Sequence, residues 1–212
     1  MEVHNIAREV SVVILDCYYK RRRNPVLCWF LLTLTDLFYR IEVRGARDFP
    51  KYGPVILAPK HASIIDPFVC SIAWYKLVGH RHPAWYFAKA EMFRSRPIAW
   101  FMSALGTFPV RRGKADRKAL KFARELLEDN SVLMIFPEGT RSETLGEAKS
   151  GLGYLACATG APVKPMMVYG LKGWGKFILR RKITVRFGEC LFPNDEGRGA
   201  FTVRLMEAIL KL

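Results

Sequence analysis

The chain has 212 residues, 50% of them hydrophobic and 13% aromatic, and a formal net charge of +15. That size suits one domain, and the apolar and aromatic content excludes a disordered chain, a collagen-like repeat or a low-complexity linker. So positive a balance selects polyanionic partners: nucleic acid, an anionic lipid surface, or phosphorylated and acidic ligands.

The first 40 residues read differently from the rest. Ile6, Val10, Val13, Ile14 and Cys17 recur at helical spacing, which predicts an amphipathic helix. Lys20-Arg21-Arg22-Arg23-Asn24-Pro25 ends it in a basic turn, and a second helix is predicted from about Val26 to Tyr39. That helix opens on seven consecutive apolar residues, Val26 to Leu32, before Thr33, Thr35 and Asp36 interrupt the run. It falls short of the ~20 apolar residues that span a bilayer. No small-residue cleavage site accompanies it, so it does not read as a signal peptide. Two readings stand: a helix pair docked on the core, or a hairpin lying in a membrane interface. Trp29, Phe30 and Leu31 beside four cationic residues favour the second. Each Lys or Arg near anionic headgroups contributes roughly 1 kcal/mol. Residues 1–40 are therefore expected to form a membrane-associating two-helix motif, and 41–212 the remaining domain.

From Ile41 onward, strands and helices alternate. Strands are predicted at 54–58, 84–88, 107–110, 132–136, 163–169 and 183–187. Helices are predicted at 67–77, 97–105, 116–128, 150–159 and 200–210, the third with Ala119, Leu120, Ala123 and Leu127 on one face. This order indicates a single α/β domain with a mixed, mostly parallel sheet flanked by helices. Five scattered cysteines (17, 28, 70, 157 and 190) form no CxxC or Cys/His cluster. They read as buried free thiols in a reducing compartment, the cytosol or the cytosolic side of a membrane. Between Glu147 and Glu189 stand eight Lys or Arg residues and no acid. No nucleic-acid motif accompanies that charge, so no nucleic-acid partner is expected.

The segment Ala58-Pro59-Lys60-His61-Ala62-Ser63-Ile64-Ile65-Asp66-Pro67 joins a buried strand to a helix. Ligands of open α/β sheets collect at such strand ends, which places His61 where it can reach substrate. Asp66 precedes Pro67 and is expected to cap the helix. On a regular helix, residues five apart diverge by ~140°, so His61 and Asp66 meet only if 62–65 form a turn. If they do, the carboxylate can orient the imidazole as a general base. Two further strand exits carry polar groups: Phe136-Pro137-Glu138-Gly139-Thr140-Arg141-Ser142, and Gly106-Thr107-Phe108-Pro109-Val110-Arg111-Arg112-Gly113. The first offers a Gly-Thr turn for close backbone approach, the second paired guanidinium groups suited to phosphate.

In this order and spacing, the three segments resemble the glycerophosphate acyltransferase superfamily, and most of all bacterial 1-acyl-sn-glycerol-3-phosphate (lysophosphatidic acid) acyltransferases. The resemblance covers roughly residues 41–190, with a fourth block at Ala161-Pro162-Val163-Lys164-Pro165. It implies that His61 is the general base and Asp66 its orienting partner. It associates Arg112, Glu138 and Arg141, with the Gly139-Thr140 turn between them and Lys89 nearby, with the acceptor's glycerol phosphate. The fourth block is associated with the acyl side of the pocket. No metal or cofactor is implied beyond acyl-CoA or acyl carrier protein as co-substrate. The N-terminal helices are expected on an anionic membrane surface, at the cytoplasmic face of the cell membrane. Departures are Arg111, where many members carry an acid, Lys164, where an aliphatic residue is common, and a lysine of the cradle displaced by one position. Trp74, Trp85, Trp100, Phe101 and the methionines are expected in the core or lining an acyl tunnel, and His80 and His82 receive no role.

Overall fold

Asn24 starts the first helix: its side-chain Oδ1 accepts the Leu27 N–H at 3.0 Å, and Pro25 supplies the preset first helical residue. The computed structural model describes residues 23–45, 48, 53–61, 63, 65–79, 84–111, 116–139, 148–170 and 181–212. Within them, α1 spans Pro25–Phe38 and runs directly into the strand β1, Tyr39–Gly45. The predicted first helix and Lys20 to Arg22 lie outside the described residues. Strand β1 is absent from the sequence prediction because Arg40, Glu42 and Arg44 break any apolar run. It holds as an edge strand, paired along its length with β7, with Lys182 of β7 bonded to Glu42 at 2.8 Å.

After β1 come β2 (Val55–Pro59), α2 (Asp66–Val78), β3 (Ala84–Lys89) and a 3₁₀ turn at Ala90–Phe93. Then follow α3 (Arg96–Ala104), β4 (Thr107–Val110), α4 (Arg117–Glu128) and β5 (Val132–Met134). The chain closes with α5 (Ser150–Thr159), β6 (Val163–Tyr169), β7 (Arg181–Phe187) and α6 (Gly197–Leu210). The seven strands form one sheet in the order β1-β7-β6-β2-β5-β3-β4. Every neighbouring pair is parallel except β6 with β7. The mixed, mostly parallel sheet read from the alternation is the one observed.

Every residue of β2 is buried because helices cover both faces of the sheet. Val55 and Leu57 point into a core shared with Val69, Trp74 and Met134. Ile56 and Ala58 point into the opposite core, with Leu126, Leu155 and Phe201. The thiols of Cys28 and Cys70 are free and buried, as expected, whereas Cys157 and Cys190 are free but only half-buried.

Lys164, the departure on β6, is fully buried, yet its Nζ reaches Asp48 Oδ1 at 2.7 Å and the Asp48 carbonyl at 2.8 Å. Asp48 Oδ2 also accepts the Cys190 N–H at 2.8 Å. Burial pushes the Asp48 carboxyl up, but the Lys164 and Cys190 hydrogen bonds outweigh it and hold it below its ordinary value. A buried lysine is held here because its charge ends on a partner that water still reaches. Lys164→Met is expected to keep the packing and cost about 1 kcal/mol, a modest figure because Asp48 is half-exposed. With a lowered folded pKa, Asp48 contributes stability above its ordinary value that is lost as pH falls through the lowered one. The gap between wild type and variant in urea midpoints should therefore close on acidification; a constant gap would assign the effect to packing.

Candidate active site

Strands β2, β5, β3 and β4 are adjacent and parallel, so their C-terminal ends share one edge of the sheet. That edge presents His61 after β2, the Phe136 to Gly139 turn after β5, Lys89 at the end of β3 and Arg111 after β4. All but Glu138 of these line one cavity of about 1090 Å³. Parallel topology alone thus gathers residues far apart in sequence.

His61 and Asp66 meet. Nδ1 of His61 lies 3.0 Å from Asp66 Oδ2, and the same oxygen accepts the Ser63 N–H at 2.6 Å. The Asp66 N–H in turn donates to Ser63 O at 3.3 Å, closing the turn on which the sequence argument depended. Asp66 was expected to cap α2, and here the structure differs. Ile65 is the cap residue, Asp66 is the first residue inside the helix, and its carboxylate turns back toward the loop. The loop N–H and the imidazole compete for that oxygen and win. Asp66 is fully buried while the His61 side chain remains 15% exposed, one face against Phe136 at 4.2 Å between ring centroids. An N–H on Nδ1 bonded to the carboxylate leaves Nε2 as the nitrogen able to accept a proton.

The Phe136 to Gly139 turn is closed by the Gly139 N–H on Phe136 O at 3.0 Å, and the Lys149 N–H holds Pro137 O at 2.9 Å. Gly139 adopts φ +65°, and a Cβ there would sit 2.9 Å from Lys149 Cε. The glycine therefore makes room for the Lys149 side chain, which the sequence reading counted only among surface charges. Its one signal was position, immediately before the predicted α5. Glu138 is buried beneath the turn and does not line the cavity. Lys89 and Arg111 are exposed on the rim, and Asp116 accepts both the Arg111 and Ala119 N–H groups, tying that rim to the start of α4. Arg112, Thr140 and Arg141 lie outside the described residues. The block from Ala161 to Pro165 leads into β6 and does not line the cavity.

Away from the rim the cavity becomes apolar. Cys28, Leu31 and Leu32 of α1, Phe68 of α2 and Phe101 and Met102 of α3 line it, with the hydroxyls of Ser71, Tyr75 and Tyr86 inside. Ser71 and Tyr86 are hydrogen-bonded to each other, and burial pushes both tyrosines upward, so they stay protonated donors. Arg23, the described member of the basic turn, faces inward rather than toward headgroups. Its Nη2 donates to the Ala84 carbonyl and its guanidinium stacks 5.3 Å from the Trp85 ring centroid. Trp74 is core and Phe101 lines the cavity as expected, but Trp100 is 62% exposed, neither core nor lining.

The family model for "Acyltransferase" matches residues 40–169. A chloroplastic 1-acyl-sn-glycerol-3-phosphate acyltransferase of Brassica napus is 30% identical over 165 residues, covering 74% of this chain and 46% of its own. The 1-acyl-sn-glycerol-3-phosphate acyltransferase of Bacillus subtilis is 25% identical over 179 residues, covering 81% and 87%. The chain spans about half the length of the plant relatives it matches. The crystal structure of the 1-acyl-sn-glycerophosphate acyltransferase of Thermotoga maritima shares the fold, with a TM-score of 0.61 at 22% identity, covering 97% of this chain and 82% of that one.

Proposed function

Because this chain belongs to the acyltransferase family, we propose that it moves a fatty acyl group from acyl-CoA or acyl carrier protein to lysophosphatidic acid, giving phosphatidic acid. The observation that carries the reading is the His61–Asp66 pair, set in a cavity with a cationic rim and an apolar interior.

The chemistry follows from those atoms. The acceptor hydroxyl attacks the thioester carbonyl as Nε2 of His61 takes its proton, forming the new C–O bond. Asp66 holds the imidazole orientation and stabilises the imidazolium. The tetrahedral centre then collapses, the C–S bond breaks, and the departing thiolate takes the proton back from His61. Ester and thiol leave together, and neither a metal nor an acyl-enzyme is invoked. Lys89, Arg111 and Lys149, with Arg112 and Arg141, supply positive charge for the acceptor phosphate. The acyl chains occupy the apolar part between α1, α2 and α3.

The acceptor is a lipid, and α1 suits a membrane surface. It buries Cys28 and Leu32 but turns Val26, Trp29, Phe30, Leu34 and Leu37 outward. No helix among the described residues is long and apolar enough to cross a bilayer. The outward apolar residues of α1 and the net charge of +15 support peripheral or monotopic attachment to an anionic membrane surface, which we propose lies at the cytoplasmic face.

Initial rates with lysophosphatidic acid, glycerol 3-phosphate and uncharged-headgroup lysolipids, each with both donors, test the reading. Lysophosphatidic acid should be preferred; equal rates with a headgroup lacking an accessible phosphate would oppose it. Arg141→Ala should raise the acceptor KM about tenfold or more and leave the donor KM nearly unchanged, as loss of a charge-assisted contact implies. The opposite split would move Arg141 to the donor.

A further inference from the structure

Helix α3 buries only Ala99, Ser103 and Ala104. Ile98 is 49%, Trp100 62% and Phe101 37% exposed; Ile98 and Phe101 share one face of the helix, Trp100 lies beside Phe101, and Phe101 reaches both the surface and the cavity. Large apolar side chains grouped in this way on a surface mark something that covers them. The transfer reaction does not use Ile98 or Trp100, since neither lines the cavity. We propose that α3 is a second membrane-inserting element, seating Ile98, Trp100 and Phe101 in the interfacial layer of an anionic bilayer beside α1. The proposal rests on the lipid-acyltransferase reading and extends it to how the cavity meets its substrate.

Three observations identify the occupant as a bilayer. The first is continuity with α1. The Asn24 N–H donates to Ala104 O at 2.9 Å and the Cys28 thiol to the same carbonyl at 3.4 Å, so the end of α3 is tied to the first turn of α1. Leu31 of α1 and Phe101 of α3 both line the cavity, which is flanked by the two helices. The second is charge. Arg94 and Arg96 are exposed at the start of α3, and Glu91 is the one acid between Ala90 and Ala104. Tryptophan beside arginine suits the interface, where the ring sits at headgroup level and the guanidinium meets lipid phosphate. The third weighs against the obvious rival: a second copy on this face would bring together two chains of net charge +15, which repel. A lipid acceptor could then reach His61 between α1 and α3 without its acyl chain crossing water.

The test separates binding from chemistry. Full-length wild type, Ile98→Ser/Trp100→Ser and Arg94→Gln/Arg96→Gln are sedimented with phosphatidylcholine vesicles, with and without phosphatidylglycerol. Turnover is measured on a short-chain lysophosphatidic acid held below its micellar concentration. Ile98→Ser/Trp100→Ser should lower partitioning onto both vesicle types roughly tenfold or more, from lost apolar burial, at unchanged turnover of the dispersed substrate. Arg94→Gln/Arg96→Gln should weaken binding to anionic vesicles only. Unchanged partitioning of the apolar variant overturns the proposal. So does a change of its oligomeric state by light scattering with partitioning intact, which would assign the face to a second copy. No turnover by wild type with any donor strikes the functional reading instead, and leaves the partitioning comparison to stand. If the double variant fails to fold, Trp100→Gln alone provides the same comparison at one exposed position.

Discussion

His61→Ala should lose turnover by about 10²–10⁴-fold while the acceptor and donor KM values change little. The imidazole touches no substrate phosphate in this account; its contribution is the proton it removes as the hydroxyl attacks, which is a transition-state effect. Folding should survive. The side chain sits at a strand exit and packs one face on Phe136, and the buried Asp66 carboxylate it leaves keeps the Ser63 N–H, so the cost to stability should be about 1–3 kcal/mol. Turnover, both KM values and the thermal midpoint decide the matter together. A variant that turns over normally removes His61 from the chemistry. One that is inactive and unfolded says only that the residue supports the loop, and His61→Gln then becomes the informative substitution.

Asp66→Asn should show nearly as large a loss for a different reason. In the native protein one carboxylate oxygen, Oδ2, accepts both the Ser63 N–H and the imidazole. An asparagine has one carbonyl oxygen and one amide. With the amide oxygen in the place of Oδ2, the Ser63 N–H and the Nδ1–H both keep their acceptor, but that acceptor is neutral. It no longer stabilises the imidazolium that forms as the proton is taken, and kcat should fall by about 10²-fold or more with KM retained. Because residue 66 is fully buried, removing a charge there should not unfold the protein. Asp66→Glu, one methylene longer, should recover part of the rate if the carboxylate itself orients His61. A role confined to starting α2 would instead show as lost stability with kcat per folded molecule intact.

Much of this architecture is legible in the sequence, because it depends on local rules. The helix at Arg117–Glu128 announces itself by an amphipathic period and by Asp116, which accepts the Ala119 N–H. The strand at Val55–Pro59 announces itself as an unbroken apolar run bounded by Pro and charge. What was not legible depends on distant partners. Strand β1 needs β7, whose backbone pairing and Lys182–Glu42 ion pair hold it despite its three charged residues. Lys164 looks misplaced until Asp48 folds over it, and Arg23 reads as a headgroup contact until Ala84 and Trp85 claim it.

The candidate site follows the same division. Motif spacing singled out His61, Asp66 and Gly139, the family resemblance added Lys89, and parallel topology brought them to one edge. Spacing could not tell a helix cap from a histidine partner at Asp66, since both need an acid beside Pro67. Nor could it show that Glu138 lies beneath the turn, or that Gly139 makes room for Lys149. Trp100 was expected to be internal on hydrophobicity alone, which is blind to whether a helix covers both of its sides.

The most direct trial is product stoichiometry: purified protein with acyl-CoA or acyl carrier protein thioester and lysophosphatidic acid, quantifying free thiol and phosphatidic acid together. One phosphatidic acid should form for each thiol released, with both signals lowered about 10²-fold or more in His61→Ala. Thiol released without lipid product, or equal product from the variant, would contradict this chemistry.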